Sequence, residues 1–598
     1  MCKANNIIGE FFQTILNWIN LEILDKNGII YIMNTQRPKL QLSTIQCKVA
    51  NISHNYKQML WHINLAKSNS VDVLIFGICP LTTLSLGYLK YNKELQQSVN
   101  DAIQQLVEVS LTCDFDIIFV ENIAQNGVLQ TQVLRFSQGT IKSIVFEPNK
   151  KHDSNEDILL HKKSDDIAKF ALSFSDISDR FKNDGYDFVI SFDDCLSEYD
   201  VDLLEKFYTN NSSIKSLEQK NNINTTVVIG ANVSESVSQG VYNSTKLVIN
   251  NQNIVAKASY WHYCIIVLLG SKDFKNENYI TPKFRPELPF VPTDVASLDK
   301  IIDILSHATY QRLKETRNKG VILGVSGGLD SAFVLCLARW IQTRHSDFGT
   351  IYGVTMHTSN TSKLSLYNAK ALIECCNATH IDIPIGDAVQ HHLGMISHGG
   401  KHDITYQNAH ARRRTSLLLD LSNMYNVLHL GTGDMSEIAL GWSTYGGDQL
   451  SQFNPNSNLT KTMLQALLPH LAKKLNDPRM LEVCNKIVNA PISPELVPNQ
   501  KTEDELGPYA LFDFITYHWI FKNRSLVEVY QLCCEHFEYL TSAAIKEYLK
   551  MFINRFYLNQ FKRKFACDGV HVQNYDFDNL EIVTSVDTSM LVEMVDNF

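Results

Sequence analysis

Two apolar patterns alternate along the first half of this chain. Between residues 40 and 280, the apolar runs Val71–Phe76, Asp116–Val120 and Tyr186–Ser191 stand apart from stretches with helical spacing, such as Glu94–Val109. An unbroken short apolar run predicts a strand covered on both faces, and apolar positions every three or four residues predict a helix with one buried side. Their alternation predicts layered α/β packing. Asp200–Asn224, rich in Asn, Ser and Lys, reads as a surface loop, and the polar, proline-containing stretch Asp273–Thr293 reads as a connector. Beyond it, helix Leu298–Lys314, buried strand Gly320–Val325 and helix Ser331–Gln342 form the opening unit of an open parallel α/β domain. The division expected is an extension 1–32, a domain 33–272, a connector 273–293 and a second domain 294–598. Within the extension, Ile7–Ile30 is apolar but broken by Glu10, Asp25 and Lys26, and it reads as an extra helix rather than a signal peptide.

Composition narrows the class. With 44% hydrophobic and 20% charged residues, the chain has the balance of a globular protein, and 598 residues exceed one ordinary domain. A formal net charge of -9 supplies no global field for nucleic acid or an anionic membrane, so neither is expected as a partner. No apolar run reaches the length of about 18 residues that a membrane helix needs. The 13 cysteines include no C-x-x-C pair and read as reduced core thiols, which favours a cytoplasmic location.

The chemistry concentrates in Ser326-Gly327-Gly328-Leu329-Asp330-Ser331, between the predicted strand and helix. Two glycines let the backbone approach an anion closely, and the following helix start directs free N–H groups and a positive dipole end at the same point. Asp330 adds a carboxylate able to hold Mg²⁺ against phosphates. No G-K-[ST] follows and the pattern is not G-x-G-x-x-G, so Walker and dinucleotide loops are excluded.

This loop resembles the pyrophosphate loop of the N-type ATP pyrophosphatases, which activate a carboxyl or carbonyl group as an adenylate. Further motifs narrow the choice: Gly431-Thr432-Gly433-Asp434-Met435-Ser436-Glu437, the run Gly441–Gln449 (GWSTYGGDQ), Leu459–Thr462, Ile492–Pro498, and Arg555-Phe556-Tyr557 with Gln560–Arg563. From about Pro289 to Ser585 this series is similar to the synthetase domain of two-domain, glutamine-dependent NAD synthetases. The resemblance implies a nitrilase-like α-β-β-α sandwich followed by a Rossmann-like ATP-pyrophosphatase domain. It also implies ATP-dependent amidation of deamido-NAD to NAD, with ATP and Mg²⁺ required, and a homo-oligomer.

Site residues follow from the same resemblance. Gly324, Val325, Ser326, Gly327, Gly328, Leu329, Asp330, Ser331 and Thr432 would bind ATP. Asn408, Glu437, Trp442, Ser443, Thr444, Tyr445 and Lys562 would contact deamido-NAD. Asp330 and Glu437 would share the metal, and Asp330, Glu437 and Lys461 would be catalytic. Arg412 and Arg414 match a basic stretch near the active site. On their own, Glu437 also reads as a plain helix carboxylate, Trp442 as a core residue and Arg412–Arg414 as a solvated helix face. Three places depart from the family: Met356–Ser362 where a Pro- or Gly-containing loop is usual, His410, and a shortened Gly446-Gly447-Asp448 run.

In the family, the N-terminal domain hydrolyses glutamine with a Cys nucleophile, a Glu base and a Lys. Here Ile78 stands at the Glu position, Ser191-Phe192 at the Cys turn, and Ile144 or Glu147 at the Lys position. Cys195 and Lys150 are the nearby substitutes. Ile78, Glu147 and Ser191 therefore mark a degenerate glutaminase site, and ammonia is the expected nitrogen donor. The alternatives are a glutamine-dependent synthetase with an unusual or partner-supplied amidase, and a non-catalytic nucleotide-binding paralogue.

Overall fold

The computed structural model describes residues 39–125, 128–146, 288–491, 506–572 and 586–598, with position 577 and the strand segments 23–24, 29–31, 158–161, 167–174, 188–192, 225–229, 236–237, 240–241, 246–250, 253–258, 264–268 and 284–285. The chain divides into two compact units, which change over in the main between Tyr279 and Ile280.

The first unit is built on β1 (Ile23–Leu24), β2 (Ile29–Tyr31), β3 (Lys39–Ser43), β4 (Val73–Phe76), β5 (Asp116–Gln125), β6 (Val128–Ser137), β7 (Thr140–Phe146), β8 (Ile158–His161), β9 (Ile167–Phe174), β10 (Phe188–Phe192), β11 (Thr225–Ile229), β12 (Lys246–Asn250), β13 (Asn253–Ala258) and β14 (Cys264–Leu268). One sheet has the order β1-β2-β14-β3-β4-β5-β6-β7, the other β13-β12-β11-β10-β9-β8. Alternate residues Leu74 and Phe76, Ile117 and Phe119, and Leu134 and Phe136 pack with Met59 and Ile63 of α1 (Ile52–Ser68) and with Val99, Ile103 and Leu106 of α2 (Lys93–Ser110). The intervening Val73, Ile75, Ile118 and Val120 are buried as well. Both faces of these strands are covered, which is why their sequence runs are unbroken.

One expectation fails here. The described part of the extension is strand rather than helix, and Ile29–Tyr31 pairs in parallel with Cys264–Ile266. A sheet edge offers unpaired N–H and C=O groups, and β-branched isoleucines suit the pleat, so tertiary pairing decides against the helix. Residues 1–22 and the expected loop Asp200–Asn224 lie outside the described residues.

In the second unit, part of the expected connector is a hairpin of β15 (Phe284–Arg285) and β16 (Leu288–Pro292). Leu288, Phe290 and Val291 are buried there, an apolar set hidden in the sequence by the surrounding prolines. Next comes α3 (Val295–Glu315), N-capped by Asp294 on Ser297 N at 2.8 Å. The strands β17 (Gly320–Gly324), β18 (Thr350–Thr355), β19 (Thr379–Asp382) and β20 (Leu428–His429) form a wholly parallel sheet of order β19-β18-β17-β20. Around it run α4 (Leu329–Arg344), α5 (Lys363–Cys375), α6 (Gly386–Met395) and α7 (Ile404–Tyr425). The order reverses between β17 and β20, so the loops leaving these two strands open onto the crevice where open α/β sheets hold ligands. Later helices are α8 (Met435–Leu440), α9 (Lys461–Leu475), α10 (Pro478–Val488), α11 (Tyr509–Ile515), α12 (Leu526–His536), α13 (Ser542–Leu558) and α14 (Gln560–Arg563).

Among the described residues no helix is long and apolar enough to cross a membrane. The described cysteines are free thiols and most are buried, in line with a structural role.

Candidate active site

The glycine loop follows β17 and closes on itself. Ser331 Oγ accepts from Ser326 N at 3.2 Å, Ser326 Oγ and Ser331 Oγ share a hydrogen bond at 3.1 Å, and Ser326 Oγ accepts from Gly328 N at 3.2 Å. No side chain caps the start of α4, so its first N–H groups face the crevice without a side-chain acceptor. Gly327 has φ +85°, and a Cβ there would lie 2.0 Å from Ser365 O. Glycine is required at this point on both counts.

After β20, Asp434 caps α8 by accepting from Glu437 N at 3.0 Å. This puts Asp434, Glu437 and, from the other side of the switch point, Asp330 together, with carboxylate oxygens all within 4.8 Å of one another. The ammonium of Lys461, at the start of α9, sits among them: 2.8 Å from Asp330 Oδ1, 2.6 Å from Asp434 Oδ2 and 3.0 Å from Glu437 Oε1. Burial works against the lysine's charge, but the three carboxylates outweigh it and hold the ammonium well above the usual lysine range. Burial likewise pushes the Glu437 carboxyl up to about 7, with Lys461 pulling the other way. All-oxygen donors at this spacing fit a hard cation such as Mg²⁺.

Lys461 is held from behind. Its backbone N–H donates to Ser436 Oγ at 2.8 Å, Ser436 donates in turn to Asp513 of α11, and Asp513 also accepts from Thr462 N and Oγ1 at 3.2 and 2.8 Å. Asn456 Nδ2 donates to Asp330 O at 3.3 Å and Thr432 O at 3.1 Å, tying the two loops together. The sequence reading assigned no role to Asp434, Asn456 or Asp513. Only Asp434 carried a sequence signal, as an N-cap in the quoted G-T-G-D motif.

These elements wall a cavity of about 600 Å³. All of the expected ATP contacts from Gly324 to Ser331 and Thr432 line it, as do Asn408, Glu437, Trp442, Ser443, Thr444 and Lys562. Two expected contacts differ. Tyr445 is 41% exposed and packs on Phe561 and Phe565 instead of lining the cavity, and its carbonyl accepts from Arg412 at 3.1–3.2 Å. Lys461 is sealed behind the carboxylates rather than open to the cavity. Asn408 Oδ1 accepts from Thr444 Oγ1 at 2.8 Å, and Asp448 accepts from Thr444 N at 2.7 Å. Lys562 Nζ donates to Gly441 O and Ser443 O at 2.6 and 2.7 Å, and burial, helped by the charge of Arg555, lowers its pKa. Arg414 donates to Met356 O at 3.3 Å. The departing loop residue His357 lines the cavity, its Nε2 3.4 Å from Asp382, and His410 is buried on Tyr406 O at 2.8 Å.

In the first unit, Ile78 is 4% exposed at the turn after β4. The turn contains two non-glycine residues with positive φ, Cys79 at 48° and Thr83 at 81°, an uncommon conformation that the surroundings must enforce. Glu121 does so: its carboxylate accepts from Leu81 N at 3.0 Å, from Asn122 N at 3.1 Å, and from Thr82 Oγ1. Burial pushes this carboxyl up to about 7 against those hydrogen bonds. Ser191 lies on β10, in register with Ser173 and Val228. Glu147, Lys150 and Cys195 lie outside the described residues.

Residues 301–565 match the NAD synthase family. The glutamine-dependent NAD(+) synthetase of Mycobacterium bovis is 32% identical over 323 residues, 48% of this chain and 47% of that protein. The chain thus matches about half the length of that relative. The glutamine-dependent NAD(+) synthetase of Acinetobacter baylyi is 24% identical over 90% of this chain and 96% of its own. The solved glutamine-dependent NAD(+) synthetase of Cytophaga hutchinsonii superposes with a TM-score of 0.72 at 16% identity, covering 94% of this chain and all of that one, a likeness of fold that agrees with the two-part α/β architecture expected. Residues 301–565, somewhat under half of the chain, thus resemble the NAD synthase family in sequence.

Proposed function

We propose that this protein amidates deamido-NAD to NAD with ATP, through an acyl-adenylate, releasing pyrophosphate and then AMP. The carrying observation is the meeting, at one switch point, of the self-closed loop Ser326–Ser331 with the Asp330–Asp434–Glu437 cluster around Lys461. A carboxylate is a poor electrophile, and ATP converts it into one that ammonia can attack. Both steps build negative charge on phosphoryl and tetrahedral oxygens, which positioned N–H groups and cations offset. The free N–H groups at the start of α4 would receive phosphate oxygens. Asp330 and Glu437 would hold Mg²⁺, which neutralises phosphate charge when bound. Lys461 contacts all three carboxylates and fixes their positions. Trp442, Ser443 and Thr444 would take the dinucleotide, in a cavity whose 600 Å³ is within the usual range for small-molecule sites.

The names of the relatives support NAD synthesis and favour glutamine as the nitrogen donor, with the amidase step supplied by an unusual arrangement or by a partner. A second reading, free ammonia as donor, is favoured by Ile78, which puts a buried hydrocarbon where the family's base would be. A homo-oligomer and a cytoplasmic location belong to the same proposal. The test is an assay with deamido-NAD, ATP and Mg²⁺, comparing ammonium with glutamine. NAD and AMP formed in equal amounts support the reading. Nucleotide binding without AMP release in either arm would leave a silent paralogue.

A further inference from the structure

Three cations donate to the carbonyls at and just beyond the end of α8. A helix leaves its last carbonyls without intrahelical partners. Here Arg563 Nη1 donates to Ile438 O and Ala439 O at 3.2 and 3.1 Å, Arg555 Nε to Leu440 O at 3.0 Å, and Lys562 Nζ to Gly441 O and Ser443 O at 2.6 and 2.7 Å. All three cations come from α13 and α14. The approach is close: Gly441 has φ +60°, and a Cβ on it would meet the Asn559 side chain at 2.2 Å. Arg555 does one thing the others do not. Its guanidinium also lies over the ring of Trp442, 5.1 Å from the centroid, and both side chains line the cavity. Cation and ring therefore form a single wall, with the ring's position set by a helix outside the parallel sheet.

We propose that Arg555 is a positioning residue for the dinucleotide end of the cavity, seating the Trp442 indole so that the wall is preformed for an aromatic ring. The idea rests on the proposed function in taking deamido-NAD as the ligand that meets Trp442. A planar guanidinium both stacks and donates along Nε, whereas an ammonium can keep only the charge and one donor. A wall held in advance lowers the cost of ordering on binding, so its loss falls on affinity for one substrate rather than on turnover.

The test uses the full chain with Arg555→Gln and Arg555→Lys. Arg555→Gln is expected to raise KM for deamido-NAD about tenfold, with KM for ATP and the melting temperature little changed. Arg555→Lys is expected to recover part of that loss. Binding is also read without turnover, as tryptophan quenching by deamido-NAD that Trp442→Phe removes. A uniform fall in kcat, equal weakening of both substrates, or a lysine variant no better than glutamine would each overturn the role. Quenching without NAD formation by the unmodified protein would defeat the proposed activity while the variants still decide on Arg555. No quenching in the unmodified protein would defeat the positioning role itself.

Discussion

The ammonium of Lys461 lies 2.6 Å from Asp434 Oδ2, and both side chains are closed to solvent, at 1% and 0% exposure. Removing one member of a buried ion pair leaves the other charge uncompensated, at a cost of about 3–5 kcal/mol. Lys461→Met should therefore lower the melting temperature and abolish NAD formation. The double variant Lys461→Met/Asp434→Asn neutralises one of the three carboxylates left around the missing ammonium, so it should regain part of the melting temperature and none of the turnover. Calorimetry that shows no recovery in the double variant would refute the ion pair as the source of the loss.

Gly327 sets the shape of the phosphate loop. Gly327→Ala would place a Cβ 2.0 Å from Ser365 O at a φ of +85°, so the loop must open. The conformational strain alone is about 1–3 kcal/mol. We expect a folded protein whose melting temperature no longer rises on adding ATP. A normal ATP-induced shift in this variant would contradict the role of the loop.

Glu121 makes the first unit sensitive to pH. Burial raises its carboxyl from 4.5 to about 7 in the folded chain, so between those values the folded state keeps a proton that the unfolded state has lost. Its stabilising contribution is complete below pH 4.5 and falls away as pH rises through 7. Glu121→Gln should flatten that part of the stability profile, read as denaturation midpoints from pH 5 to 8. An unchanged slope in the variant would count against the buried carboxyl as its source.

Nitrogen supply separates the two readings of the first unit. Ile78 offers no proton acceptor, and losing one member of a catalytic unit typically costs orders of magnitude in rate. With free ammonia as the donor, the purified chain makes NAD from ammonium and essentially none from glutamine, and Cys195→Ala alters neither result. Glutaminase turnover that vanishes in Cys195→Ala would restore glutamine as this chain's own substrate.

Local order along the chain was enough for much of this. The strand Gly320–Gly324, the helix Leu329–Arg344 and the anion-binding loop between them were legible because glycine pairs, helix starts and buried runs leave signatures within a few residues. The cavity walls at Gly431–Gly433 and Gly441–Thr444 were pointed to by family resemblance rather than by a local pattern. Folding alone decided what depends on distant partners. Ile29–Tyr31 became a strand because Cys264–Ile266 offered a free edge, against its helical look. Tyr445 packs outward on Phe561 and Phe565, far later in the chain. Asp513 and Arg555 gained their places from helices that pack behind α8 and α9 far along the chain, and no local pattern announces such a contact. Sequence specifies the chemistry a side chain can offer and the element it rides on. Which groups meet across the switch point is settled by the strand order β19-β18-β17-β20, a property of the whole sheet.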